Sequence, residues 1–343
     1  MSGPARRTYE LRHRARQHAS HQRRQRRRRS WALLVLGLLL CLALGAYSLW
    51  DNERSAEPAA IASVDRPTSA KPPQPPGPAR TQSLVELSSE LRNISGSHAG
   101  NYGVVVFDPY SGETASLHAD RRFVAASLSK LYALLTLYKE ASQGELSLDD
   151  KITMRSSDVW GYGTGVLARY PNKYPVPYTM TLRECATFMI KESDNTAELM
   201  LNRYLGEKRI EAELQHIGAD STRYWSPINT TTPNDILLVL KKIGDPSYTS
   251  PRLSAEMLEL MTDTTFEERL PRPLPEEARV AHKIGSYEST FSDAGIVFPY
   301  GEGKGQEYYI VVFGEGDAQG EAIGTIQDIS LATYQTLVRQ DSP

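Results

Sequence analysis

Hydrophobic and polar positions fall into distinct regimes along this chain. The longest uninterrupted apolar stretch runs from Trp31 to Trp50, twenty residues without a charge. At about 1.5 Å per residue it spans the roughly 30 Å hydrocarbon layer of a bilayer. Trp31, Tyr47 and Trp50 stand near its ends, where interfacial aromatics sit. The pattern predicts one transmembrane helix, residues 31–50. Beyond it, apolar periodicity resumes at Leu84 to Arg92 as a helix. Tyr102 to Asp108 reads as a buried strand, Pro109 to Gly112 as a turn and Glu113 to Ala119 as the returning strand. Leu131, Leu134, Leu135 and Tyr138 recur at i, i+3, i+4 and i+7, which predicts a buried helix starting near Ser127. After Lys151 to Met154 the chain reads as loop up to Tyr178. Thr181-Leu-Arg-Glu184 has the form of a capping box and opens a helix through Ile190. Glu192-Ser-Asp-Asn195 interrupts it before a second helix, Thr196 to Leu205. Thr232-Pro233 forms an N-cap and first-turn pair for a helix to about Ile243, and Ser254 opens another through Met261. Period-two patterning returns in Val280 to Ile284, Ser292 to Phe298 and Tyr308 to Phe313. The last of these is nearly all apolar and therefore expected at the centre of a sheet. A helix from Ile323 to Arg339 closes the chain. These elements predict an α+β fold in which one antiparallel sheet carries terminal helices beside an all-helical subdomain.

Charge changes the picture at the N-terminus. Residues 1–30 hold eleven arginines against one acid, Glu10, and show no apolar periodicity. They read as a disordered basic tail that stays in the cytoplasm and directs the rest of the chain outward. A cleaved signal peptide is the competing reading, but the apolar run ends in Tyr47, Leu49 and Trp50 rather than in small residues. Residues 51–83 are rich in proline and alanine and read as a semi-rigid spacer. The predicted organisation is therefore a tail, 1–30, a membrane span, 31–50, a linker, 51–83, and an extracytoplasmic domain, 84–343. The tail's excess of ten positive charges sits inside an overall −2, which leaves residues 85–343 at about −12. No basic face for nucleic acid is expected there. Cys41 and Cys185 are the only cysteines, so no disulfide framework exists.

Candidate chemistry begins at Ser127-Leu-Ser-Lys130. Three-residue spacing places Ser127 and Lys130 on one helix face, a turn apart. A serine hydroxyl needs a base to become a nucleophile, and a lysine desolvated against apolar surface can serve. Taken alone, an N-cap serine with an exposed lysine explains the same residues. Two further elements follow in order, Ser193-Asp-Asn195 between two helices and Lys283-Ile-Gly285 on a strand. With all three in these settings, residues 84–340 resemble the serine β-lactamase and penicillin-binding-protein superfamily, most closely its class A β-lactamase-like branch.

The resemblance implies a β-lactamase-like fold and a division of roles. Ser127 would attack a β-lactam or a D-alanyl-D-alanine stem peptide of peptidoglycan, with Lys130 as its base. Ser193 would pass a proton to the leaving nitrogen. Asn195 and Lys283 would bind the substrate's amide and carboxylate, and Gly285 and Ser286 would flank the oxyanion site. No metal or organic cofactor is required. His98, His118, His216 and His282 lack ligand spacing, and His282 is expected as a strand-edge residue.

Two departures qualify this. Ile284 stands where the family usually has a hydroxyl. The stretch Tyr224 to Pro233, which matches the family's deacylating loop, contains no acid, although Asn229 could position a water. The expectation is a membrane-anchored serine hydrolase that acylates readily and deacylates slowly. A non-catalytic wall-binding or sensory protein, and a true β-lactamase using a different base, remain the alternatives.

Overall fold

The structure is a computed structural model that describes residues 78–224, 228–301 and 306–338, all within the compact unit Lys71–Pro343. The basic tail and the apolar segment 31–50 lie outside the described residues. Among those described, no helix is long and apolar enough to cross a membrane.

In chain order the helix α1 (Pro78–Gly96) leads into β1 (Asn101–Phe107), β2 (Thr114–Leu117) and the short β3 (Phe123–Val124). A 3-10 turn, Ala126–Ser129, then enters α2 (Lys130–Gln143), followed by β4 (Lys151–Met154) and β5 (Tyr178–Thr181). Next come α3 (Leu182–Lys191), α4 (Asn195–Leu205), α5 (Glu207–His216), β6 (Thr230–Thr231), α6 (Pro233–Gly244) and α7 (Pro251–Met261). The chain returns through β7 (Arg279–Tyr287), β8 (Thr290–Phe298) and β9 (Tyr308–Glu315) to α8 (Gln319–Val338).

Five strands form one antiparallel sheet in the order β2-β1-β9-β8-β7. The apolar strand β9 is central, as its composition predicts. Because side chains alternate along a strand, β9 divides its residues between two cores. Val311 and Phe313 face a core with Val105, Ala294 and Leu128, Leu131, Leu134 and Tyr138 of the nucleophile-bearing segment. Ile310 and Val312 face the other way, with Val104 and Val106, onto Leu87 and Leu91 of α1 and Ile326 and Ile329 of α8. The site-bearing helices thus lie on one face and the terminal helices on the other, which is the α+β arrangement expected.

Several boundaries differ from the sequence pattern for identifiable reasons. Helix α1 starts at Pro78, inside the stretch read as linker, and buries Ser83 and Leu84. Proline at a first turn lacks only a donor that the helix leaves unpaired anyway. Helix α7 is capped by Ser250 with Pro251 behind it, four residues before the predicted Ser254, whose hydroxyl instead bonds the Ile243 carbonyl at 2.6 Å. Strand β5 directly follows Pro175 and Pro177, which mask it as loop, and pairs with β4 through Ile152 and Met180. Helix α5 starts from Gly206 and buries only Ile210 and Leu214, too few positions for a clear period.

Leu134, fully buried in α2, tests the forward core. Leu134→Ala is expected to lower the unfolding free energy by about 2–5 kcal/mol, the usual cost of such a cavity. Urea denaturation of both proteins measures this, and an unchanged midpoint would contradict the packing described.

Candidate active site

The nucleophile turn is fixed before it begins. Phe123 pairs with Thr231 across β3 and β6, and its ring stacks on Phe313 of β9 at 5.1 Å. The Ala125 N–H then donates to the Asn229 carbonyl at 2.8 Å. Ala126 has φ 47°, a left-handed conformation uncommon for a residue with a Cβ and found where surroundings enforce it. The 3-10 turn follows, so Ser127 precedes the α-helix proper and makes no side-chain cap. That removes the simple N-cap reading of Ser127 and Lys130.

Lys130 is fully buried. Its Nζ lies 2.8 Å from Ser127 Oγ, 2.7 Å from Asn195 Oδ1 and 3.4 Å from Ser193 Oγ. A fourth neighbour is Glu198 Oε2 at 3.3 Å. These partners outnumber the three protons of an ammonium, so a proton can move among them without the side chain moving.

The second element is the break between α3 and α4. Thr181 and Glu184 form the predicted capping box at the start of α3. At its end Ser193 turns left-handed, with φ 50°, and aims its hydroxyl between the two lysines. Asp194 caps α4 through the Ala197 N–H. Its other oxygen accepts from the N–H groups of Val166 and Leu167 at 2.6 and 2.8 Å, which ties down the glycine-rich loop. Gly165 is required there: its φ is 127°, and a Cβ would meet the Asp194 carboxylate at 2.5 Å. Asn195 Nδ2 donates to the Tyr162 carbonyl at 3.2 Å, so the loop also orients the amide that faces Lys130.

Strand β7 supplies the third element. Lys283, almost fully buried, donates to Ser193 Oγ at 2.9 Å and to the Ile284 carbonyl at 3.1 Å. Burial, and then the facing charge of Lys130, push its ammonium well below the usual lysine range. A Cβ on Gly285 would lie 2.5 Å from Ser292 Oγ and 3.0 Å from the Ala125 carbonyl, so only glycine lets the strand approach the nucleophile turn. Ser286 is exposed beyond it, and Ile284 is 7% exposed. The structure thus brings Ser127, Lys130, Ser193, Asn195 and Lys283 into one hydrogen-bonded group, with Gly285 packed against the turn. Asn229 touches it through its backbone. Residues 225–227 of the matching loop lie outside the described residues.

Two side chains around this group were not anticipated. Glu198 is three residues after Asn195, hence on the same face of α4. Arg269, buried, donates to the Gly285 and Ser292 carbonyls at 2.7 and 2.6 Å and to Ser286 Oγ at 2.6 Å. It fixes the end of β7 from a loop with no sequence pattern to mark it.

His282 lies on the edge strand of the sheet, as expected, and its ring is fully buried. Nδ1 lies 2.9 Å from Asp293 Oδ1, and Nε2 lies 3.3 Å from Glu267 Oε1. Burial alone lowers its proton affinity, but the Asp293 carboxylate and then Glu267 outweigh this and raise it to about 9. Stability from this ion cluster is therefore full below the ordinary histidine value and is lost as pH rises through about 9. The melting temperature is expected to fall between pH 7 and pH 10 by an amount that reflects on the order of 3 kcal/mol. His282→Gln should flatten that part of the profile, and a parallel fall in both proteins would assign it elsewhere.

A family model described as the beta-lactamase enzyme family matches residues 86–337. A beta-lactamase of Streptomyces fradiae is 26% identical over 235 residues, covering 63% of this chain and 75% of that protein. A solved structure of PBP-A aligns with TM-score 0.68 and 27% identity, over 75% of this chain and 97% of that one. A mutant of PBP-A in acyl-enzyme complex with penicillin G aligns with the same TM-score and 26% identity, over 79% of this chain and all of that one. With the family match running from α1 through α8 and across all three site elements, the chain belongs to the beta-lactamase enzyme family and is a serine hydrolase of that kind.

Proposed function

We propose that the protein is a membrane-anchored, extracytoplasmic enzyme that forms an acyl-enzyme on Ser127 with β-lactams or D-Ala-D-Ala-type peptides and releases it slowly. The observation that carries this reading is the 2.8 Å contact between a fully buried lysine amine and Ser127 Oγ. As Oγ bonds to the substrate carbonyl carbon, Lys130 gives one of its protons to Ser193 and takes the serine proton in its place, so it ends the step as the ammonium it began. Ser193, in contact with both lysines, passes a proton to the leaving nitrogen as the C–N bond breaks. Both substrate classes carry a carboxylate near the scissile amide. Such an anion beside Lys283 favours the ammonium that burial otherwise disfavours.

The penicillin G acyl-enzyme of the PBP-A mutant supports the substrate class. Slow release is supported by the sequence from Tyr224 to Pro233, which holds no carboxylate to activate water. Anchoring and orientation are supported by the twenty uncharged residues 31–50 behind an arginine-rich tail.

Incubation of the full-length chain with benzylpenicillin, followed by intact mass, tests this reading. A single adduct on the wild type and none on Ser127→Ala is expected. Absence of an adduct, or one retained by Ser127→Ala, would remove it.

A further inference from the structure

The stretch that matches the family's deacylating loop has no acid, yet a carboxylate is present at the nucleophile's base from another direction. Asn195 and Glu198 are one turn apart on α4, and both reach Lys130. Glu198 is held at both oxygens. Oε1 accepts from Ser129 Oγ at 2.9 Å, and Oε2 lies 3.3 Å from Lys130 Nζ. Its side chain keeps 15% of its surface exposed, while that of Lys130 has none. The carboxylate is thus fixed on the site side and open to water. Lys130 Nζ contacts both Glu198 and Ser127 Oγ. The carboxylate and the ester oxygen of an acylated Ser127 are therefore no farther apart than two hydrogen bonds laid end to end, a gap that one water spans.

From this placement we infer that Glu198 is the base for the water that hydrolyses the acyl-enzyme. The inference rests on the reading that Ser127 is acylated. As the water oxygen bonds to the ester carbonyl carbon, one of its protons passes to Glu198. The tetrahedral adduct collapses with cleavage of the bond to Ser127 Oγ, which leaves with a proton from Lys130. Glu198 then returns its proton to Lys130. The products are the free acid and the original serine, ammonium and carboxylate.

Charged groups approach Lys130 from two elements. Glu198 approaches from α4 and Lys283 from β7, with Asp293, His282, Glu267 and Arg269 on the far side of Lys283. Tyr224, buried beside α4, senses the Glu198 charge. Among the described residues, Glu198 is the only carboxylate in ion-pair contact with Lys130. An ion pair serving only to neutralise Lys130 would show the same contact, so the test must read turnover.

The experiment follows adduct formation and clearance by intact mass on the full-length chain at pH 7, using benzylpenicillin, for wild type, Glu198→Gln and Glu198→Asp. Glu198→Gln should slow clearance by at least about tenfold. Formation of the adduct is read in the same traces, and a loss of formation as large as the loss of clearance would make Glu198 only the counter-ion that holds Lys130 and would overturn the inference. Glu198→Asp, which keeps the charge but withdraws it by one carbon, should clear at a rate between those of the wild type and Glu198→Gln. If Glu198→Gln does not fold, the aspartate variant decides, because wild-type clearance in it would overturn the inference. Clearance from Glu198→Gln at the wild-type rate overturns it, as does a wild-type adduct that never clears. Both of these leave acylation of Ser127 standing. Failure of the wild type to form any adduct instead removes the acylation reading, and this inference with it.

Discussion

A lysine ammonium with no exposed surface is the constraint on which this site depends. Leaving such a charge unpaired in a protein interior costs several kcal/mol. Acceptors must therefore converge on Lys130 from every side. Ser127 comes from the turn before α2, Ser193 from the break after α3, and Asn195 and Glu198 from α4. None of these segments is adjacent in sequence to all the others, so satisfying one ammonium registers the helical layer against the nucleophile turn. The left-handed backbone at Ala126 and Ser193 belongs to the same account, since each redirects the chain where a hydroxyl must point inward.

Strand β7 extends this logic across the sheet. Neighbouring residues present one cation to each face, Lys283 toward Ser193 and His282 toward Asp293. Burial and then the Lys130 charge push the first well below the usual lysine range, whereas for the second the carboxylates of Asp293 and Glu267 outweigh burial and raise it above the usual histidine range. Arg269 braces the same strand through backbone carbonyls. A rigid, charged backing thus stands behind the amine that a substrate's carboxylate would meet. The strand end can carry Ile284 without a hydroxyl and still be positioned, because its alignment comes from Arg269 and from the close approach at Gly285.

Much of the fold was legible because its strongest elements are patterned locally. The apolar run of β9, the capping box at Thr181 and the Thr232-Pro233 start of α6 each state their structure within a few residues. The three short site motifs were legible for the same reason. What escaped was decided by tertiary contact. Glu198 is an ordinary helix residue until α2 and α4 pack, although its three-residue spacing from Asn195 was a usable signal. Arg269 sits in a loop whose partners are carbonyls on distant strands. His282 pairs with Asp293 two positions off its directly facing residue, a diagonal set by the strand register rather than by composition. The 3-10 start of α2 was also invisible, since periodicity cannot distinguish one helical turn from another.

The division of β9 between two cores has a topological consequence. Helices α1 and α8 pack together on the face turned away from Ser127, so the beginning and end of the folded layer are neighbours there. A short bridge between them would close the chain into a ring without passing near the cleft. The domain is therefore suited to circular permutation, or to insertion into a host protein, with new ends opened at a surface loop remote from the lysines.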